Sequence, residues 1–177
     1  MKVLFLDVDG VLNTNKTCLL HGNVFINSVG VKDKLDPYGS LFIKRLTQHG
    51  IQIVLSSVWR GGKRFAEEKE RAFSFPIIDR TPWHPFPGSI RGDEIKMWLD
   101  KHPEVTHYCI VDDDSDMLQE QLPNFVKTKH EEGITFEAMG KICKILGFDV
   151  WDLTKYRKEP ENIEDPDDLV NTRGLKL

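Results

Sequence analysis

The chain has 177 residues, a length for one domain with at most a short appendage. Apolar residues at 40% and charged residues at 29% fit a globular protein and exclude a collagen, a coiled coil and wholesale disorder. The formal net charge of −4 conceals an acidic run (Glu159, Glu161, Glu164, Asp165, Asp167 and Asp168), and the remainder is slightly basic, suited to an anionic substrate but not to coating nucleic acid indiscriminately.

Val3 to Val8 is a β-branched and aromatic run bounded by Asp9-Gly10 and predicts a buried strand followed by a turn. Residues 13–38, with Gly22, Gly30 and Pro37, are expected as a flap, with a short hairpin around Val24 to Ile26. A helix is predicted from Ser40 to His49, closed by Gly50, and a second strand from Ile51 to Ser56. Residues 57–90 form a second, short insertion, irregular from Phe75 to Gly88, where Pro76, Pro82, Pro85 and Pro87 surround Trp83, His84 and Phe86. The next helix starts near Ser89 or Asp93, carries Ile95, Trp98 and Leu99 on one face, and ends before His102-Pro103. A third strand is read over His107 to Asp112 and a last helix over Thr135 to Leu146, ended by Gly147. The domain is thus expected over 1–154, with a charged tail over 155–177.

Cys18, Cys109 and Cys143 form no Cys-x-x-Cys pair, which predicts neither disulfides nor a zinc cluster and fits a reducing compartment. Val3 to Leu6 is stopped by Asp7 and Asp9, too early for a signal peptide or a membrane span. The expectation is a cytoplasmic protein with no membrane partner; the oligomeric state is left open.

Strands apolar along nearly their whole length, alternating with helices, imply a mainly parallel sheet covered on both faces, a Rossmann-like α/β/α sandwich. Such sheets bind ligands at the carboxyl ends of their strands. Asp7/Asp9, Ser56/Ser57 and Asp112/Asp113 all fall at that end and are expected to converge.

Asp7-Val-Asp9-Gly10-Val-Leu-Asn13 resembles the first motif of the haloacid dehalogenase superfamily, whose phosphatases carry Asp-x-Asp-Gly. Leu55-Ser56-Ser57-Val58-Trp59-Arg60 is similar to its second motif, Arg91 with the helix behind it to the third, and Val111-Asp112-Asp113-Asp114-Ser115-Asp116 to the fourth. The pattern looks most like the small-cap or capless domains found with nucleic-acid-repair proteins: neither insertion has room for a large cap.

The chemistry requires these residue types. A carboxylate attacking a phosphate monoester meets repulsion, which a divalent cation between the two anions removes. Asp7 is the candidate nucleophile, forming an aspartyl-phosphate; Asp9 is the general acid and base; Gly10 lets the chain leave the strand sharply. Asp112 and Asp113 supply hard oxygen ligands for Mg²⁺, with Asp113 favoured first and Asp114 and Asp116 as further acids. The resemblance implies that Asp7 and the backbone carbonyl of Asp9 also ligate Mg²⁺, that Ser56 holds a phosphoryl oxygen, and that Arg91 neutralises phosphoryl charge, with Lys96 as a competitor.

Ser57 joins the phosphate-binding set, and Arg60 is read either as a phosphate ligand or as a surface ion pair. Trp59 and Cys109 are read as packing residues and His84 as structural. Trp83 and Phe86 offer either a base-stacking surface or the packing of a Pro-rich loop. The expected activity is a phosphomonoesterase acting on nucleotides or phosphorylated nucleic-acid ends. The alternatives are a small-metabolite phosphatase, sharing every catalytic residue, and a non-catalytic binding protein, disfavoured because Asp7 and Asp9 are both present.

Overall fold

The computed structural model describes residues 1–20, 35–61 and 73–154. The hairpin expected around Val24 to Ile26 and the tail 155–177 lie outside the described residues. Five strands, β1 (Lys2–Leu6), β2 (Ile51–Leu55), β3 (Asp79–Arg80), β4 (His107–Asp112) and β5 (Phe125–Lys127), form one sheet in the order β3-β2-β1-β4-β5. Every neighbouring pair is parallel. Leu6 pairs with Leu55 on one side and with Val111 on the other. That register brings the next residues of three strands, Asp7, Ser56 and Asp112, to one level at the carboxyl edge.

Alternation along β1 divides the core. Leu4 and Leu6 join the larger apolar layer with Phe42, Ile43 and Leu46 of α2 (Pro37–Gln48) and Ala138, Ile142 and Cys143 of α4 (Phe136–Ile145). Val3 and Phe5 face the other way, against Ile95 and Trp98 of α3 (Arg91–Leu99). Helices therefore cover both faces, the three-layer α/β arrangement expected of these strands. Each fully buried side chain of this size contributes about 1.5–3 kcal/mol. The Trp98 ring meets Phe5 edge-on at 5.3 Å, and its indole N–H donates to Asp79 Oδ2 at 2.7 Å, tying α3 to the sheet edge.

Local signals set the helix ends. Asp36 Oδ2 accepts from the Gly39 N–H at 2.6 Å and Pro37 occupies the first turn, so α2 starts three residues before the expected Ser40. Thr135 Oγ1 accepts from the Ala138 N–H at 3.2 Å and starts α4. Three elements depart from the sequence reading. Helix α1 (Asn15–Leu20) lies within the stretch read as a flap, β3 within the one read as an irregular insertion, and β5 was not predicted. Phe75 and Ile77, also read as irregular, are buried in the larger core.

Candidate active site

Asp7 directly follows β1, its N–H donating to Val111 O at 3.0 Å, and the residue is 5% exposed. Asp112 ends β4 and is 1% exposed. With Asp113 they offer three carboxylate oxygens within 4.8 Å of one another. Burial, then the charge of Asp112, pushes the Asp7 carboxyl up to about 8, against the opposing pull of Arg91 and the Ser57 hydroxyl. Burial likewise pushes Asp112 up to about 6. Asp7 and Asp112, this close and this buried, resist ionising together without a nearby cation.

Arg91, the first residue of α3, answers part of that need. Its Nε is 3.3 Å from Asp112 Oδ2 and its Nη2 is 3.9 Å from Asp7 Oδ1. Lys96, the competing base, sits farther along the helix, paired with Asp100 at 3.0 Å on the exposed side. Asp114 is also exposed, its N–H donating to Asp112 Oδ1 at 3.0 Å, while Asp116 Oδ2 accepts from the Arg91 N–H at 3.0 Å and steadies the start of α3.

The turn after β1 is tightly wound: the Leu12 and Asn13 N–H groups both donate to Val8 O at 2.8 Å. Gly10 has φ +72, and a Cβ there would lie 2.1 Å from Asp113 Oδ2, so the position excludes any side chain. The Asp9 carboxylate stands outside the three-carboxylate cluster, accepting from Asn13 Nδ2 at 2.6 Å and from the Trp59 indole N–H at 2.9 Å. Trp59, read as packing, does pack on the core but also orients Asp9. The segment after β5 braces this turn: Thr128 Oγ1 donates to Gly10 O at 2.9 Å, the Ile134 N–H to Val11 O at 3.3 Å, and His130 Nδ1 lies 2.9 Å from Asp113 Oδ2. His130 carried no sequence signal, because only the fold brings it to Asp113.

After β2, Ser56 is fully buried and its hydroxyl has no hydrogen-bond partner among the described residues, while the Ser57 hydroxyl bonds Asp7. Arg60 does make an ion pair, but a buried one rather than one at the surface. It is 3% exposed, donates to the Ser56 and Ser57 carbonyls at 2.5 and 2.7 Å, and pairs with Glu94 at 2.5 Å. Burial and Arg91 lower it to about 10, which leaves it cationic at neutral pH. Glu94 also accepts from Arg91 at 3.4 Å and from the His84 N–H at 3.1 Å, so one buried carboxylate joins the turn after β2, the start of α3 and the Pro-rich loop. Its spacing three residues after Arg91 was the available signal.

Trp83 is 47% exposed, with its ring over the Arg60 guanidinium at 4.9 Å. Trp83, His84 and Arg91 line a cleft of about 130 Å³; Phe86 is exposed but is not among its lining residues. Cys109 is a buried strand residue whose thiol burial pushes far up, out of nucleophilic use.

An all-parallel Rossmann-like sheet carrying an Asp-x-Asp-Gly turn, two serines, an arginine and a pair of aspartates at its carboxyl edge defines a hydrolase domain of the haloacid dehalogenase type. The chain belongs to the family of HAD domains in Swiss Army Knife RNA repair proteins, whose model matches residues 3–139. No curated protein and no solved structure matches it significantly. Among the described residues, no helix is long and apolar enough to cross a membrane.

Proposed function

We propose that the chain is a Mg²⁺-dependent phosphomonoesterase working through an aspartyl-phosphate at Asp7 on nucleotides or phosphorylated nucleic-acid ends. The observation that carries this reading is the cluster of Asp7, Asp112 and Asp113 beside Arg91 and a Ser56 hydroxyl with no partner among the described residues. The donors fit Mg²⁺. They are all hard carboxylate oxygens, with no His or Cys in the cluster, and the buried Asp112 Oδ2 makes no hydrogen bond among the described residues beside its ion pair with Arg91. Asp7, Asp112 and Asp113 would hold the ion, with the Asp9 carbonyl contributed by resemblance. When bound, the ion neutralises nucleophile and phosphate together.

A carboxylate oxygen of Asp7 attacks phosphorus, and the bond from phosphorus to the leaving oxygen breaks as Asp9 gives that oxygen a proton. Arg91 and Ser56 hold the non-bridging oxygens. Asp9 then takes a proton from water, whose oxygen attacks phosphorus and releases phosphate from Asp7. Acid–base help of this kind is worth about 10²–10⁴-fold. Trp59 and Asn13 keep Asp9 aimed, and the Trp83 ring supplies a face on which a base stacks.

The test is a Mg²⁺ assay over mononucleotides, 3′- and 5′-phosphorylated oligonucleotides, sugar phosphates and phosphopeptides, with Asp7→Asn as control. Turnover of the nucleotide classes that Asp7→Asn and chelator both abolish is expected. Turnover surviving in Asp7→Asn overturns the covalent mechanism, and a preference for sugar phosphates overturns the substrate class.

A further inference from the structure

We propose that the cleft beside Arg91 is a sugar subsite, in which the His84 imidazole and the Ser89 hydroxyl read a hydroxyl group vicinal to the scissile phosphoester. This rests on the phosphatase reading and narrows its substrate to ribonucleoside 3′-phosphates. The cleft measures about 130 Å³, room for roughly four waters at ~30 Å³ each, and so for one small ring rather than a whole nucleotide. Arg91 places it next to Asp7, and the apolar side chains of Val58, Trp83 and Ile90 line it and are exposed.

The polar groups sort by commitment. Arg91 is held by Asp7, Asp112 and Glu94, Glu94 by Arg60 and Arg91, and Asp116 accepts from the Arg91 N–H. Two groups are uncommitted among the described residues: the Ser89 hydroxyl is buried without a partner, and the His84 imidazole makes no hydrogen bond. A cleft in which Val58, Trp83 and Ile90 offer apolar surface beside an uncommitted hydroxyl and an uncommitted imidazole suits a ring with C–H faces and a hydroxyl.

Backbone conformation points the same way. His84 has φ +42, the only described non-glycine residue at positive φ, and Glu94 pins it there through the His84 N–H. Gly88 shows that this loop uses glycine where a turn alone is needed, so the imidazole at His84 is kept at a cost in strain. Trp83 is likewise set in advance: Arg60 lies under its ring, and a Cβ on Gly61 would come within 2.9 Å of it. A hydroxyl on the carbon next to the ester is present in a ribonucleoside 3′-monophosphate and absent from its 2′-deoxy counterpart.

The test uses the full chain with Mg²⁺ and compares kcat/KM on a ribonucleoside 3′-monophosphate, the 2′-deoxyribonucleoside 3′-monophosphate and the ribonucleoside 5′-monophosphate. One hydrogen bond of ordinary net strength is worth about 5-fold, so the wild type should favour the ribo over the deoxy 3′-ester by roughly 5- to 30-fold. That ratio should fall towards one in His84→Gly, shrink in Ser89→Ala, and be partly restored in His84→Asn, which tolerates the left-handed backbone and keeps a hydrogen-bonding group. His84→Gly relieves strain and should melt no lower than the wild type, which separates lost recognition from lost folding. A wild-type ratio near one, a ratio unchanged in His84→Gly, or a preference for the 5′-ester overturns the subsite. If no ester is turned over, the phosphatase reading fails, and the subsite is judged by titrating Asp7→Asn with the same nucleotides by tryptophan fluorescence. Tighter ribo binding that His84→Gly abolishes supports it; equal or absent binding overturns it.

Discussion

Replacing the proposed nucleophile with its amide should stabilise the metal-free protein while destroying its activity. The Asp7 carboxyl is raised from 3.8 to about 8 by burial and by Asp112, so between those values the folded chain keeps a proton that the unfolded chain releases. The sign follows: the penalty is absent below pH 3.8, grows as pH rises, and is complete above about 8. At pH 7 the gap is about 3 pH units at ~1.36 kcal/mol each, a ceiling of ~4 kcal/mol. Asp112, itself raised to about 6, shares the strain, and Ser57 can donate to the amide oxygen as it does to the carboxylate. We expect Asp7→Asn to gain about 2 kcal/mol at pH 7 in chelator, measured by urea unfolding. The gain should vanish near pH 3.5 and be offset by Mg²⁺, which at about 100 times its Kd stabilises the wild type by ~2.7 kcal/mol. An amide variant no more stable than the wild type at pH 7, or a gap independent of pH, refutes the reasoning.

Arg91→Ala should lower kcat/KM by about 10²–10³-fold by removing a donor from the phosphoryl site, whereas Lys96→Ala, on the exposed side of α3, should change neither kinetics nor stability; steady-state assays decide. Glu94→Gln strands the buried Arg60 charge and should cost about 3–5 kcal/mol of unfolding free energy, with a loss under ~1 kcal/mol contradicting the strut assigned to it. Trp59→Phe keeps the ring against the core but loses the donor to Asp9. Its kcat should fall several-fold more for an alkyl phosphate than for p-nitrophenyl phosphate, whose leaving group needs little protonation, and an equal fall would remove Trp59 from the acid's support.

The three central strands were legible because nothing but burial on both faces explains such apolar runs, and the converging site followed from the parallel topology that they imply. Strands β3 and β5, two and three residues long, carry too little pattern to read; register with β2 and β4 defines them. Asp36-Pro37 held a helix-start signal that was read as loop because the glycines before it dominated. Asp7, Asp112, Asp113 and Arg91 were accessible because a motif names residue types at strand ends. Arg60, Glu94, Trp59 and His130 were not, because their roles arise from pairings 34, 50 and 17 residues apart that no local spacing reports.

The bracing of the Asp7 to Asn13 turn by residues 128–134 has a consequence for the order in which a ribosome delivers the molecule. Every acid of the proposed centre has been synthesised once Asp116 is added, yet the turn bearing two of them is still without its far support. Thr128 must arrive to bond Gly10, and Gly133 to fit where a Cβ would lie 2.4 Å from Val11 O. A nascent chain therefore holds all its acids before it holds the residues that brace them, which lie in the final stretch of the family match, ending at 139.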